Sequence, residues 1–165
     1  MNWIRIVLDG LAMSLFFNFS VGMFSFVWPQ AYSTMFPKEI KEAAAPYVVK
    51  KDVKKMYIVL LAIYLFVFLY FGISSRNAGI TGFWNFFWTG YAEMLFVNFG
   101  DLLILDCLLR AVTKKKRGLI KGAEDCRAWE LREWMKAALP EHLVIWPLTF
   151  CPLAGLIVAG IGCLT

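Results

Sequence analysis

Five carboxylates lie in or beside stretches of the chain that are apolar enough to cross a lipid bilayer. They belong to Asp9, Glu93, Asp101, Asp106 and Glu141. A charged carboxylate at the centre of a bilayer costs about 2.5–3.5 kcal/mol on insertion scales. No basic residue is expected deep enough to pair with Asp101. We therefore expect its carboxyl group to be protonated, to face water or to bind a cation.

Two asparagines and the only histidine extend this set of polar residues. Asn98 precedes Asp101 by three residues on the same predicted helix. Asn18 lies in the first apolar stretch, and His142 begins the last one. An unpaired polar group in lipid is costly. We predict that Asp101 is hydrogen-bonded to Asn98, Asn18 or water and is the residue most sensitive to substitution.

Asp9 and Asp106 also have simpler interpretations. Asp9 is four residues from Arg5, and Asp106 is four residues from Arg110. This spacing brings side chains together on one face of a helix. Either acid can therefore be a structural ion pair, whereas Glu93 has no basic residue at helical spacing.

The cysteines and the histidine do not form a metal or redox motif. The four cysteines have no C-x-x-C spacing, and one histidine excludes a bis-histidine haem site within one chain. We therefore predict no cofactor and no metal. The net charge of +5 includes the basic run 114–117, which we interpret as a membrane anchor and not as a nucleic-acid site.

Four apolar stretches must position these residues. The chain is 60% hydrophobic and 17% aromatic, and a helix needs about 20 apolar residues to cross a bilayer. The sequence predicts an all-α integral membrane protein, with one four-helix transmembrane bundle over residues 1–165. The predicted spans are about 3–28, 56–73, 81–109 and 142–163. We interpret the first span as a retained helix and not as a signal peptide.

The basic residues predict the orientation. Of 17 Lys and Arg residues, 15 lie in the loops 29–55 and 110–141. The positive-inside rule makes these loops cytoplasmic and leaves both termini outside. Each loop is predicted to contain a short helix, one beginning after Pro37 and an amphipathic one over 127–139. The amphipathic helix either lies among lipid headgroups or docks on the bundle or a partner.

One face of the first span carries small residues. Gly10, Ser14, Asn18 and Gly22 follow at four-residue spacing, which allows close approach of another helix. We predict that this face packs against the third span. The polar groups of that third span point in several directions, so it should be central or contribute to an oligomer.

Two segments resemble a group of small bacterial four-span membrane proteins. The run 96–106 fits the pattern N-x-x-D-L-L-x-L-D in their third span, and 37–46 is similar to their first loop. Together they cover about 20 residues, and the chain departs from the pattern at Cys107, where relatives often have an aromatic residue. The resemblance implies the bacterial cytoplasmic membrane as location and implies no activity.

Three classes of function remain open. The acids of the third span favour small-molecule or proton/cation transport, which would need a homo-oligomer or a larger membrane complex. A non-catalytic membrane subunit that binds lipid or another ligand is the main alternative. A lipid-modifying enzyme is the third, and no nucleophile, phosphate loop or D-x-x-D motif supports it.

Overall fold

The computed structural model describes residues 2–115 and 119–164, and no strand occurs in these two ranges. Its α-helices are α1 (Trp3–Gly22), α2 (Phe24–Val27), α3 (Pro29–Tyr32), α4 (Lys38–Ala44), α5 (Lys50–Asn77), α6 (Phe83–Asp101), α7 (Arg110–Lys115), α8 (Leu131–Pro140) and α9 (Cys151–Leu164). A π-helical segment, Leu102–Leu109, joins α6 to α7, and another, Glu141–Phe150, joins α8 to α9. The all-α prediction is confirmed.

Within residues 2–115 and 119–164, three helical runs are long and apolar enough to span a membrane. They are Trp3–Val27, Lys50–Asn77 and Leu131–Leu164. The predicted third span is also one continuous helical run, from Phe83 to Lys115, but it is not among these three. It differs from them by carrying three acids along its length.

The acid-bearing helix α6 lies at the centre of the bundle, in contact with α1, α5 and α9. At Gly100 it lies close to α1, because an added Cβ there would meet the hydroxyl oxygen of Ser14 and lie 2.7 Å from Nδ2 of Asn18. On another side, an added Cβ at Gly155 of α9 would lie 2.7 Å from the carbonyl oxygen of Phe87. A helix enclosed by other helices does not need a uniformly apolar surface, so α6 can carry polar groups.

The predicted packing face of the first span is confirmed. Gly10, Ser14, Asn18 and Gly22 are all buried, and Asn18 reaches the carbonyl oxygen of Val97 at 3.5 Å. Small side chains at this spacing allow the backbones of α1 and α6 to come close together.

The last predicted span begins earlier than expected. The predicted amphipathic helix and span 142–163 are one continuous helical run from Leu131, so the loop predicted as 110–141 is shorter. The segment 127–129 is a separate 3₁₀ turn. Of the predicted basic anchor, Lys116 and Arg117 lie outside the described residues.

The two predicted cytoplasmic loops pack against each other. The carboxylate of Glu39 in α4 accepts hydrogen bonds from the backbone N–H groups of Arg127 and Ala128, at 3.0 and 2.9 Å. An apolar cluster forms beneath these bonds, and we call it the loop cluster: Ile40, Ala44, Ile120, Ala123, Ala128, Trp129, Trp134 and Ala138. Because Trp134 is buried in it, the amphipathic helix docks on protein, the second of its two predicted placements.

Candidate functional site

Two π-helical segments position the central polar residues at the loop end of the bundle. Asp106 lies in the first segment and His142 in the second. π-Helical turns are rare and occur frequently at functional sites. In the second segment Pro147 has no backbone N–H to donate, which favours departure from regular α-helical bonding.

His142 is held by hydrogen bonds on both ring nitrogens. Nδ2 of Asn98 donates to the backbone carbonyl of His142 over 2.8 Å, which turns Oδ1 of Asn98 towards the ring. Oδ1 lies 2.7 Å from Nδ1 of His142, and Nε2 lies 2.8 Å from Oδ2 of Asp106. Since the Asn98 oxygen can only accept, Nδ1 of His142 carries a hydrogen.

In addition to the hydrogen on Nδ1, the contact between Nε2 of His142 and Asp106 requires a second proton. With Nδ1 protonated, a neutral imidazole has only a lone pair at Nε2. A lone pair and a carboxylate oxygen do not attract at 2.8 Å. The pair is therefore either imidazolium with carboxylate or imidazole with carboxylic acid, and each form contains one shared proton.

Asp101 lies beside this pair but does not make the predicted bonds. Its Oδ2 is 3.6 Å from Nε2 of His142. Of the three predicted partners, Asn98 and Asn18 do not bind Asp101, because the Asn98 side chain binds His142 and the Asn18 amide donates to the carbonyl of Ser14 at 2.8 Å. A bond from Asp101 to water stays a prediction. The carboxyl group of Asp101 thus lies close to the proton that His142 and Asp106 share.

Asp106 is bonded on both oxygens. The indole N–H of Trp134 donates to Oδ1 over 2.8 Å, and Oδ2 faces His142. The predicted ion pair with Arg110 does not form. The Arg110 guanidinium instead donates to the backbone carbonyls of Asp106, at 3.2 Å, and Trp129.

A cavity of about 320 Å³ opens next to these acids. Asp101, Asp106 and His142 line it, together with Glu141 and Arg110. The rest of the lining is mostly apolar and includes eight aromatic side chains: Phe17, Tyr32, Phe36, Tyr57, Tyr64, Trp134, Trp146 and Phe150. The volume falls in the range of small-ligand sites, about 300–1,000 Å³.

The polar groups of two aromatic lining residues, Trp146 and Tyr32, are relevant to ligand binding. Nε1 of Trp146 is buried and has no hydrogen-bond partner within the described ranges. Burial raises the pKa of the Tyr32 hydroxyl well above 10, and the carboxylates of Asp101 and Asp106 raise it further. Tyr32 therefore stays a neutral donor at physiological pH.

Asp9 forms a separate cluster at the other end of the bundle, where α1 begins. Arg5 donates to Oδ2 of Asp9 over 2.8 Å, Ser74 donates to the same oxygen over 2.5 Å, and Tyr70 donates to Oδ1 over 3.0 Å. The structural ion-pair interpretation of Asp9 is confirmed.

Glu93 stands alone between the two clusters. Its side chain is fully buried, and neither carboxyl oxygen has a hydrogen-bond partner among the residues that the structure describes. An unpaired buried carboxylate is far more costly than a neutral carboxyl group. Its energetics therefore favour the protonated acid.

The structure brings together Asn98, Asp101, Asp106 and His142, and it leaves Asp9, Asn18 and Glu93 elsewhere. Trp134 and Trp146 were not predicted as site residues. The amphipathic pattern of α8 placed Trp134 on the apolar face of that helix. No local pattern indicated its hydrogen-bond partner, Asp106. In the described ranges, no three His, Cys, Asp or Glu side chains are arranged to hold a metal ion.

Comparisons with protein-family models, with curated proteins and with solved structures found no match for this chain.

Proposed function

We propose that the protein is a four-span membrane protein for small-molecule or proton/cation transport, and that the cluster around His142 is its proton-binding centre. Together with the three apolar runs, the acid-bearing run from Phe83 would cross the membrane, as the third of four spans in chain order. Its enclosure by three apolar helices supports this arrangement, because its acids are shielded from lipid. The termini would lie outside, in a bacterial cytoplasmic membrane.

The position of Nε2 of His142 carries the proposal. It lies 2.8 Å from Asp106 and 3.6 Å from Asp101, with Nδ1 already committed to Asn98. A small rotation of the ring or of Asp101 would offer the shared proton to the second carboxylate. Asp106 is held in place by Trp134, whereas no described side chain within hydrogen-bond distance holds Asp101.

Glu93 and the Asp9 cluster extend the polar groups towards the other end of the bundle. Buried acids in series are typical of proton pathways in pumps and transporters. Glu93 would be the intermediate proton carrier, because it is buried and unpartnered in the described structure. Four helices leave little room for a complete path, so a homo-oligomer or a larger complex forms part of the proposal.

Proton flux in vesicles tests this function. The purified protein is reconstituted with an internal pH dye, and a potassium diffusion potential drives proton entry. We expect flux in the wild type and a loss of at least about tenfold in Asp101→Asn and His142→Gln. Asp52→Asn is the matched control, because Asp52 is a half-exposed acid paired with Lys55 at 3.7 Å in the helix α5.

A non-transporting binding subunit is the second candidate. The cavity lies at only one end of the bundle, beside the predicted loops, and this position favours a binding site. Under this alternative the wild type carries no flux above that of empty vesicles but still binds a ligand. Equal flux in Asp101→Asn and Asp52→Asn would instead show that Asp101 is not part of the proton pathway.

Cysteine labelling tests the orientation. Lys50 and Asn77 are exposed residues at opposite ends of α5, so a cysteine at each should react from opposite sides of the membrane. The native Cys126 gives little background, because burial and the nearby Glu39 raise the pKa of its thiol and reduce the reactive thiolate. Labelling of Lys50→Cys from outside would overturn the proposed orientation.

A further inference from the structure

We propose that the cavity beside His142 binds a small organic ammonium ion that also carries a hydrogen-bond acceptor. The ammonium group would pair with Asp101, and the acceptor would bind the indole N–H of Trp146. This inference rests on the proposed function, since it names the class of molecule that the transport site takes.

The charges of the cavity favour a cation. Three acids line it, against one guanidinium and one imidazole. The Arg110 guanidinium is already bonded to two backbone carbonyls, and one proton is shared between His142 and Asp106. The shared proton makes the His142–Asp106 pair neutral, and the bonds of Arg110 to neutral carbonyls leave its positive charge in place. With Asp101 and Glu141 ionised, two negative charges stand against this one positive charge, so the lining is net negative.

Asp101 is the acid available to the ligand. Both oxygens of Asp106 are occupied by Trp134 and His142. The Asp101 side chain keeps 16% of its surface accessible and lines the cavity. A charge-assisted hydrogen bond from an ammonium N–H to this carboxylate would be stronger than a neutral one.

The aromatic lining suits the organic part of such a cation. The faces of Phe, Tyr and Trp rings attract a cation within about 6 Å, and their apolar surfaces accept the carbon skeleton. An inorganic ion would leave most of the 320 Å³ unfilled. The lining therefore favours an organic ammonium over a bare metal cation.

Trp146 supplies the second recognition element. The residue is 4% exposed and lines the cavity, and its Nε1 has no partner in the described part of the chain. Because protein atoms enclose Nε1, the indole would have to turn towards the cavity to present its N–H to a ligand. A buried N–H without a hydrogen-bond partner is unfavourable, so this donor would gain from an acceptor. A ligand with a hydroxyl or ether oxygen would satisfy this donor, whereas a simple alkylammonium would not.

Calorimetric titration of the protein in lipid nanodiscs tests the ligand class with matched probes. N-Benzylethanolamine is a cation at neutral pH, and 2-(benzyloxy)ethanol replaces its NH₂⁺ with a neutral oxygen. We expect the neutral probe to bind at least about tenfold more weakly, as expected for a lost charge-assisted hydrogen bond. Equal binding of the two probes would overturn the proposal, as would an absence of binding by the cation.

Variants then assign the two contacts. Asp101→Asn should weaken binding of the cationic probe at least about tenfold, whereas Asp52→Asn should leave this binding unchanged. Trp146→Phe should weaken binding of N-benzylethanolamine about fivefold. Binding of N-benzylethylamine, which lacks the hydroxyl, should be unchanged. If Trp146→Phe weakens both amines equally, Trp146 only shapes the cavity and the acceptor part of the proposal is wrong.

The two proposals can fail separately. Proton flux without binding of the ammonium probe would refute the ligand class alone. Binding of the probe without any flux would refute transport and leave a ligand-binding subunit.

Discussion

The indole N–H of Trp134 donates to Oδ1 of Asp106 over 2.8 Å and so connects α8 to the π-helical end of α6. The second oxygen of the same carboxylate faces His142. Trp134 also stacks on Trp129, with ring centroids 5.7 Å apart, within the loop cluster. The loop cluster and the polar site are therefore mechanically linked, because one carboxylate joins them.

Replacement of Trp134 with Phe tests this link. The substitution keeps most of the ring but leaves Oδ1 of Asp106 without its donor. We expect a loss of about 1–3 kcal/mol in stability, the cost of an unsatisfied buried acceptor. Thermal unfolding in detergent measures it.

Trp84→Phe is the control for this variant. Trp84 is 67% exposed, and the same change there should leave the unfolding midpoint nearly unchanged. Equal effects of the two substitutions would show that Trp134 acts through ring size and not through its bond to Asp106.

The architecture was largely predictable from the sequence, because membrane helices are defined by long apolar stretches. The position of α6 was also predictable, since its polar groups point in too many directions for a lipid-facing helix. The continuity of α8 with α9 was not. The amphipathic helix over 127–139 and the span 142–163 were predicted as separate elements, but the π-helical segment Glu141–Phe150 joins α8 to α9 in one run.

The site was only partly predictable. Sequence spacing brought Asn98, Asp101 and Asp106 together on one helix, but their partners come from a distant helix. His142 lies 44 residues from Asn98, and such long-range pairing depends on how helices rotate against each other. Local i,i+4 spacing correctly paired Arg5 with Asp9 and wrongly paired Arg110 with Asp106, because backbone carbonyls competed for Arg110.

Two glycines of α9 should respond oppositely to alanine. A Cβ at Gly155 would lie 2.7 Å from the carbonyl oxygen of Phe87, so α6 and α9 would have to separate. A Cβ at Gly160 meets nothing within 4 Å, and alanine there should gain up to about 1 kcal/mol of helix propensity. We expect Gly155→Ala to lower the thermal unfolding midpoint and Gly160→Ala to hold or raise it. Similar shifts for the two variants would contradict the close α6–α9 packing.

Alkaline pH should destabilise the protein through Tyr32. Its pKa is raised in the folded state, so its stabilising contribution is present below about pH 10 and is lost as the pH rises above that value. In this range, we expect the free energy of unfolding of the wild type to fall by up to about 1.4 kcal/mol per pH unit more than that of Tyr32→Phe. Unfolding at several pH values between about 9 and about 11.5 measures the difference. Parallel curves for the two proteins would show that Tyr32 does not titrate differently on folding.

The Asp9 cluster should show strong coupling between Arg5 and Asp9. Arg5→Met leaves a carboxylate that is only 4% exposed without its cation, although Ser74 and Tyr70 still donate to it. Because Arg5 itself is 43% exposed and partly screened by solvent, we expect a loss of about 1–2 kcal/mol and not the full cost of a buried pair. The double variant with Asp9→Asn should recover much of this loss, since it removes the uncompensated charge. A double-mutant cycle from unfolding in detergent measures the coupling. Additive losses would mean that the two side chains stabilise the fold independently and that the ion pair contributes little.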